Sequence, residues 1–272
     1  MKTAEKQITD TVQESESPVL EEQEDGIVRL TLNRPEQFNS LSEAMLATLQ
    51  DKIGAIAENK DARLVILQGA GKAFCAGHDL KEMIATREET YYKSLFQQCS
   101  RMMMTLNKIP QPVIARVHGI ATAAGCQLVG ACDLAVASED ARFATSGINV
   151  GLFCSTPSVP VSRNIPRKQA MELLLTGEFI DASTALKWGL INRIAPREKL
   201  DEEVQKLADA ILSKSSVAVF TGKKMFYKQL EKNMEDAYAF AGEIMACNMM
   251  AEDVNEGIDA FVKKRTAVWK GR

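Results

Sequence analysis

A chain of 272 residues is long enough for one sizeable core, or for a core domain with a smaller appendage. Its 46% hydrophobic and 25% charged residues are ordinary for a globular protein. The net charge is only −3, no basic stripe is present and no apolar run reaches the roughly 18 residues that cross a bilayer, so we predict neither a nucleic-acid partner nor a membrane span.

The amino-terminal residues have the composition of an unstructured segment. Residues 1–24 are rich in Glu, Gln, Ser and Thr, lack the apolar core of a signal peptide and are too acidic for a typical mitochondrial transit peptide. We therefore predict a disordered acidic tail over residues 1–18. The six cysteines lie mostly in apolar contexts without metal-ligand spacing, so we also predict reduced core thiols, no metal site and a cytoplasmic protein.

Between Gly26 and about Pro196, short apolar runs alternate with amphipathic stretches. Ser42 is a plausible N-cap for a helix whose apolar residues recur from 45 to 56, and a second helical pattern runs from 95 to 106. Strands are predicted at 27–32, 64–67, 112–117, 133–137 and 190–194. The repeated β-then-α order favours an α/β fold with parallel strands, which we assign to a core of residues 19–198.

After Pro196 the pattern becomes helical, and residues 199–272 are predicted to form a C-terminal helical region. Helices are predicted at 199–213, 218–230, 234–250 and 254–265, with no strand between them. Long helices that cannot bury all their apolar faces on a small core often complete an oligomer.

Two of the predicted strands are followed by turns of small residues. The segment 119–128 follows one strand and 71–81 follows another, and Gly and Ala there let a ligand approach the backbone. The free N–H groups at a helix start favour an anion, although a tightly packed turn without a ligand remains the alternative. A nucleotide P-loop is excluded because Ala73 follows Lys72 where Ser or Thr is required.

These turns, their spacing and the elements between them resemble the enoyl-CoA hydratase/isomerase, or crotonase, family. The resemblance covers nearly the whole chain after Gly26. It is carried, in this order, by the segments 32–41 (LNRPEQFNSL), 74–80 (FCAGHDL), 117–119 (VHG) with 123–126 (AAGC), 132–133 (CD), 141–144 (ARFA), 175–178 (LTGE), 182–190 (ASTALKWGL) and 256–261 (EGIDAF).

The resemblance implies a spiral of ββα units and a C-terminal helical region engaged in trimerisation, in a homotrimer or a dimer of trimers. It also implies an acyl-CoA thioester as ligand and no further cofactor. In the family two backbone N–H groups bind the thioester oxygen, and these fall on His78 and Ala124. Each preorganised donor to a developing oxyanion typically contributes about 2.7–4 kcal/mol.

The resemblance also implies which residues lie along the CoA and acyl group. These are Gln37 and Phe38 at the entrance, Ala76, Asp79, Leu80 and Lys81 near the bound ligand, and Phe261 and Lys264 at the nucleotide end. For Lys81 and Lys264 the alternative is a solvated surface lysine. For Asp79, capping of the following turn is preferred to catalysis.

The pattern departs from the family at the two glutamates that hydratases use. Gln127 and Gly147 occupy these positions, and neither an amide nor a hydrogen can activate water or protonate carbon. We therefore do not expect efficient hydration, although restoring both glutamates should raise it if the pocket is otherwise intact. His78, Cys154 and Ser155 are the possible substitutes; the His78 side chain could equally bond to backbone, and Cys154, which has no evident base, could simply shape the pocket.

Three hypotheses follow. The first is an enzyme acting on an enoyl-CoA or a related acyl-CoA with rearranged acid/base groups. The second is another acyl-CoA reaction, such as thioester hydrolysis or isomerisation, that depends mainly on the oxyanion hole. The third is a non-catalytic oligomer that binds acyl-CoA.

Overall fold

The computed structural model describes residues 17–272, and in this range ten strands form two sheets. The larger sheet has the order β1-β2-β3-β5-β7-β10, and the smaller has the order β4-β6-β8-β9. The strands are β1 (Val19–Glu24), β2 (Ile27–Leu32), β3 (Leu64–Gly69), β4 (Ala73–Cys75), β5 (Val113–Val117), β6 (Ile120–Thr122), β7 (Leu134–Ser138), β8 (Arg142–Ala144), β9 (Ile180–Asp181) and β10 (Arg193–Ala195).

Eleven α-helices and three short 3₁₀ helices connect or follow these strands in the described range. The α-helices are α1 (Glu43–Glu58), α2 (Leu80–Ala85), α3 (Glu89–Lys108), α4 (Ala124–Ala131), α5 (Ser155–Asn164), α6 (Arg167–Thr176), α7 (Ala182–Trp188), α8 (Leu200–Leu212), α9 (Ser216–Gln229), α10 (Met234–Asn248) and α11 (Glu252–Val262). The 3₁₀ helices span Pro35–Gln37, Ser146–Val150 and Arg197–Lys199. None of the described helices is long and apolar enough to span a membrane.

The chain repeats a strand–strand–helix unit. Strands β3, β5 and β7 lie in the larger sheet, and each is followed within a few residues by β4, β6 or β8 of the smaller sheet and then by helices. Strands β3, β5 and β7 pair in parallel with one another, and so do β4, β6 and β8. Strands β1 and β9 pair with their neighbours in antiparallel fashion. The predicted α/β fold of ββα units with C-terminal helices is therefore confirmed.

Strand β3, inside the larger sheet, is buried on both faces, as expected for a parallel strand between helices. Val65 and Leu67 of β3 belong to the main core, whereas Leu64 and Ile66 pack with Val204 of α8 on the other face. Alternate residues of a strand point to opposite faces, so a continuous aliphatic run is what this position requires. The four earlier predicted strands are confirmed and correspond to β2, β3, β5 and β7.

The last predicted strand begins later than expected. Gly189 ends α7 in the left-handed region (φ 91), and the chain turns before it pairs with β7. The Asn192 side chain accepts a hydrogen bond from Ala135 N at 2.8 Å, so ladder pairing starts only at Arg193. At the other end of the core, Ser42 accepts from Met45 N at 3.1 Å and caps α1 as predicted.

Helices α8 to α11 form the predicted helical region, and Lys223 anchors α9 to the core. Its Nζ donates to Leu106 O and Gln111 O at 2.7 and 2.8 Å and pairs with Asp133 at 2.7 Å. Many apolar side chains of this region are exposed in the single chain, among them Phe226, Tyr238, Met245, Met250 and Phe261.

The predicted tail falls mostly outside the described residues, which begin at 17. Ser17 and Pro18 are both bonded to Asn33: Asn33 Nδ2 donates to Ser17 O at 3.2 Å and Asn33 N to Pro18 O at 2.8 Å. The chain thus enters β1 from a segment tied to the end of β2.

Candidate functional site

Three turns meet at the carboxyl edge of the smaller sheet. His78 lies three residues after β4 ends, Ala124 lies two residues after β6, and Gly147 lies three residues after β8. These strands are parallel neighbours, so their carboxyl ends lie at the same edge, which is where ligands bind in open α/β sheets. Register within the sheet therefore brings the predicted site residues together.

The first turn, residues 76–79, is held by the segment 38–41. Ala76 N donates to Phe38 O at 3.0 Å and Leu41 N donates to Gly77 O at 2.7 Å. Gly77 has a φ of 97°, which favours glycine. The N–H of His78, in contrast, donates no hydrogen bond within the described chain.

Asp79 caps α2, as predicted. Its carboxylate accepts from Lys81 N at 3.1 Å, from Arg34 at 3.1 Å and from Ser40 at 3.3 Å. Burial raises the pKa of Asp79, but the Arg34 guanidinium and the N–H donors outweigh it and hold the pKa below its ordinary value. The carboxylate is therefore engaged in fixing the turn.

The second turn has an unusual backbone conformation. Ala123 has φ 50° and ψ −118°, and its N–H donates to Ala144 O at 3.0 Å. Ala124 begins α4, and its N–H has no acceptor within the part of the chain that the structure describes. The turns are in direct contact, because a Cβ on Gly77 would lie 2.9 Å from Ala123 Cβ and 3.3 Å from Ala124 N. Two free N–H donors thus belong to adjoining turns.

The third turn leaves no space for a side chain at residue 147. A Cβ on Gly147 would lie 2.6 Å from Leu152 O and 2.8 Å from Cys154 Sγ. Leu152 N also donates to Gly147 O at 3.0 Å, so the loop 151–154 folds back over this position. Gln127, which the resemblance places at the other glutamate position, is 3% exposed, and its amide makes no hydrogen bond with described residues.

The possible substitute groups are uncharged or point elsewhere. Burial raises the pKa of the Cys154 thiol and lowers the pKa of His78, so both are neutral near pH 7. The His78 ring packs edge-on against Phe96 with centroids 5.6 Å apart, and its interaction with the Leu41 backbone raises the pKa of the ring but is outweighed by burial. Ser155 is exposed, and its hydroxyl donates to Phe153 O at 3.4 Å.

The remaining predicted contact residues lie at the surface of the single chain. Ala76 is half-buried in the first turn. The exposed residues of this set are Gln37, Phe38, Leu80, Lys81, Phe261 and Lys264. The first four adjoin the first turn, whereas the last two lie at the end of α11, and their roles stay predictions.

Some residues that hold the turns in place were not predicted from the sequence. Asn39 is fully buried with φ 55° and donates to Ala70 O and Ala73 O, both at 2.8 Å. Thr122 and Ser146 share a hydroxyl hydrogen bond of 2.7 Å across β6 and the third turn. Asparagine tolerates positive φ, so the residue type of Asn39 was a local signal for its role in the turn. The sequence carries no such signal for the Thr122–Ser146 pair.

The comparison with curated relatives corrects the predicted compartment. Enoyl-CoA hydratase domain-containing protein 3, mitochondrial, of Rattus norvegicus is 47% identical over 247 residues, which are 91% of this chain and 82% of the rat protein. The Homo sapiens protein of the same name is 46% identical over 252 residues, 93% of this chain and 83% of that protein. The cytoplasmic prediction is therefore wrong, because the acidity of residues 1–24 and unpaired cysteines do not decide the compartment.

Solved structures give the same relationship. The chain superposes on an enoyl-CoA hydratase of Mycobacterium smegmatis with a TM-score of 0.92 and 55% identity, covering 93% of this chain and 99% of that one. For human enoyl Coenzyme A hydratase domain-containing protein 3 the TM-score is 0.90 with 46% identity, covering 93% and 100%. The Enoyl-CoA hydratase/isomerase family model matches residues 22–272. The chain belongs to the enoyl-CoA hydratase/isomerase family.

Proposed function

We propose that this protein binds an acyl-CoA thioester and polarises its carbonyl with the N–H groups of His78 and Ala124. The observation that carries the proposal is that both N–H groups lack an acceptor in the described chain although they lie on contacting turns. Backbone donors without partners are uncommon in a folded interior, and a ligand oxygen would satisfy both. Such donors are effective because they need no reorganisation when charge develops.

The groups next to these donors do not favour ordinary hydration. Addition of water to an enoyl-CoA needs one group to activate water and another to protonate carbon. Gln127 supplies an amide, Gly147 no side chain, and Cys154 a thiol whose pKa is raised by burial. The proposed function is thus acyl-CoA binding with thioester polarisation, without the two-carboxylate chemistry.

Thioester hydrolysis through Cys154 is disfavoured on the same grounds. The nucleophile in such a step is the thiolate, and burial disfavours that form. No hydrogen bond links Cys154 to a histidine or carboxylate in the described range, so no base activates it.

The exposed apolar faces of α9 to α11 support assembly into the homotrimer or dimer of trimers. In that assembly Phe261 and Lys264 would contact the nucleotide end of CoA, while Gln37, Phe38, Leu80 and Lys81 border the acyl entrance. The mitochondrial names of the vertebrate relatives support a mitochondrial location for this chain.

The test uses two ligands that differ only in the thioester oxygen. Butyryl-CoA carries the carbonyl, whereas S-butyl-CoA is the corresponding thioether. We expect butyryl-CoA to bind at least about tenfold more tightly, which is 1.4 kcal/mol, in a calorimetric titration. Equal affinities for the two ligands, or no binding of either, would overturn the proposal.

Catalysis is tested in parallel with crotonyl-CoA. Loss of the conjugated enoyl absorbance reports hydration, and a family enzyme with both glutamates serves as the positive control. We expect binding of crotonyl-CoA without comparable turnover. Turnover at the rate of the control enzyme would show that a group outside positions 127 and 147 activates water.

A further inference from the structure

Gln127 is a buried polar side chain whose amide has no partner among the described residues, and it lies one helical turn after the proposed donor Ala124. Its side-chain Oε1 is inaccessible to solvent and accepts no hydrogen bond. No hydrogen bond of its amide N–H groups is formed with any residue of the described chain either. Leaving such a group unpaired is unfavourable for the free protein, which points to a partner that the isolated chain does not contain.

The helix geometry directs this amide toward the bound acyl group. Gln127 lies three positions after Ala124 in α4, and residues three apart share one face of a helix. Side chains on an α-helix also lean toward its N-terminus. The Gln127 amide therefore leans toward the Ala124 N–H, where the thioester oxygen binds under the proposed function.

The third turn offers few free polar groups to a ligand. Cys154 Sγ and Leu152 O fill the space beside Gly147, and the Cys154 thiol is only a weak hydrogen-bond donor. The Thr122 and Ser146 hydroxyls are already bonded to each other at 2.7 Å. Unlike these three side chains, the Gln127 amide has both a donor and an acceptor without a partner among the described residues.

We infer that Gln127 is a specificity-determining residue that selects acyl-CoA thioesters bearing a hydroxyl group on the second or third carbon of the acyl chain. An amide carries a carbonyl acceptor and N–H donors, and rotation of the side chain can present either group to a ligand hydroxyl. A saturated or unsaturated hydrocarbon chain leaves the amide unpaired. The inference rests on the proposed function, since it places the thioester oxygen on the Ala124 N–H.

The experiment compares hydroxylated ligands with their parent compound. Each enantiomer of 2-hydroxybutyryl-CoA and 3-hydroxybutyryl-CoA is titrated against butyryl-CoA, using the full-length protein and Gln127→Met. We expect at least one hydroxylated ligand to bind the unsubstituted protein about tenfold more tightly than butyryl-CoA. In Gln127→Met this preference should fall to about one.

A thermal measurement on the unliganded proteins separates this role from a structural one. Removing an unpaired buried amide should leave the Tm of Gln127→Met unchanged or raise it, by about 2 °C. The matched control is Gln111→Met, because the Gln111 amide nitrogen donates to three backbone carbonyls, those of Ile56, Asn59 and Ala62. That variant should lower the Tm and leave the ligand preference unchanged.

The outcomes distinguish failure of the Gln127 role from failure of the proposed thioester binding. Equal binding of butyryl-CoA and every hydroxylated ligand overturns the role of Gln127 but leaves thioester binding intact. Retention of a tenfold preference in Gln127→Met does the same, since another group would then hold the hydroxyl. Failure of all the ligands to bind overturns both proposals.

Discussion

Cys154 Sγ occupies the space that a side chain at Gly147 would need, since a Cβ there would lie 2.8 Å from the sulfur. Leu152 O closes the same space from the backbone, at 2.6 Å from that Cβ. The path of the loop therefore leaves no space for a carboxylate side chain at residue 147. The expectation that restoring both glutamates would raise hydration assumed an otherwise intact pocket, and this condition is not met.

The variant Gly147→Ala tests directly whether the space beside residue 147 is filled. Overpacking against a backbone oxygen typically costs about 1–3 kcal/mol, and we expect a loss of that size in chemical denaturation. Gly54→Ala in α1 is the matched control, because a Cβ there meets nothing within 4 Å and alanine favours a helix by about 0.5–1 kcal/mol. Equal changes in stability for the two substitutions would show that the space beside residue 147 is not filled.

The double variant Gln127→Glu, Gly147→Glu should remain without hydratase activity on crotonyl-CoA. The glutamate at 147 cannot be accommodated unless the loop 151–154 moves, so no second carboxylate reaches the acyl group. Gln127→Glu alone is the control for the effect of the first carboxylate. Loss of the enoyl absorbance measures the hydratase activity of both variants. Rapid turnover by the double variant with unchanged stability would refute this expectation.

Asp79→Ala should loosen the first turn. The carboxylate accepts from Lys81 N, Arg34 and Ser40, and loss of such a cap typically costs about 0.5–2 kcal/mol. We also expect weaker binding of butyryl-CoA, because His78 directly precedes the cap. Asp51→Ala, at an exposed position on α1, serves as the control.

The effect of Asp79→Ala should depend on pH in a defined direction. The pKa of Asp79 in the folded protein is held below its ordinary value of 3.8 by Arg34 and the turn N–H groups, against the effect of burial. Its contribution to stability is therefore fully present above that value and is lost as the pH falls through the folded pKa. In urea titrations at several pH values, the free energies of unfolding of the parent protein and Asp79→Ala should converge only below about pH 4. A constant difference down to pH 2 would be inconsistent with this assignment.

Ala123→Gly should stabilise the protein. A residue with a Cβ at φ 50° and ψ −118° is strained by about 1–3 kcal/mol, which exceeds the roughly 0.5–1 kcal/mol that glycine costs through the unfolded chain. We expect a net gain of about 1 kcal/mol in chemical denaturation. Ala44→Gly, in the first turns of α1, should instead destabilise, and a loss from both would show that Ala123 is unstrained.

Lys223→Met should detach α9 from the core. The ammonium pairs with Asp133 and donates to two backbone carbonyls, and breaking a buried ion pair from one side typically costs about 3–5 kcal/mol. Lys224→Met, at the exposed neighbouring position, should stay within about 0.5 kcal/mol of the parent protein. Similar denaturation midpoints for the two variants would show that Lys223 is not an anchor.

The sequence predicted those parts of the fold that carry their own local signal. Strand β3 is a continuous aliphatic run, and the Ser42 cap precedes a clear helical period, so both could be recognised. Strands β4, β6 and β8 have three residues each and exist through pairing with one another, which no window of sequence reveals. The late start of β10 depends on the Asn192 side chain, another non-local contact.

The site was predictable to the level of which turns meet. His78 and Ala124 were placed by the resemblance, and sheet register brings their turns into contact. The filling of the space beside Gly147 was not predictable, because it depends on Gly151 adopting φ 80° and returning the loop to Gly147 O. Likewise, only the structure shows that the Gln127 side-chain amide has no hydrogen-bond partner in the described part of the chain.

The distance along the chain between the two donors has a consequence for refolding. His78 and Ala124 are 46 positions apart (124 − 78), and each N–H is oriented by a turn that leaves a strand of the smaller sheet. Ligand affinity should therefore return only when β4 and β6 have paired, after the helices have recovered their circular dichroism. Butyryl-CoA binding would then serve as a kinetic reporter of long-range sheet closure.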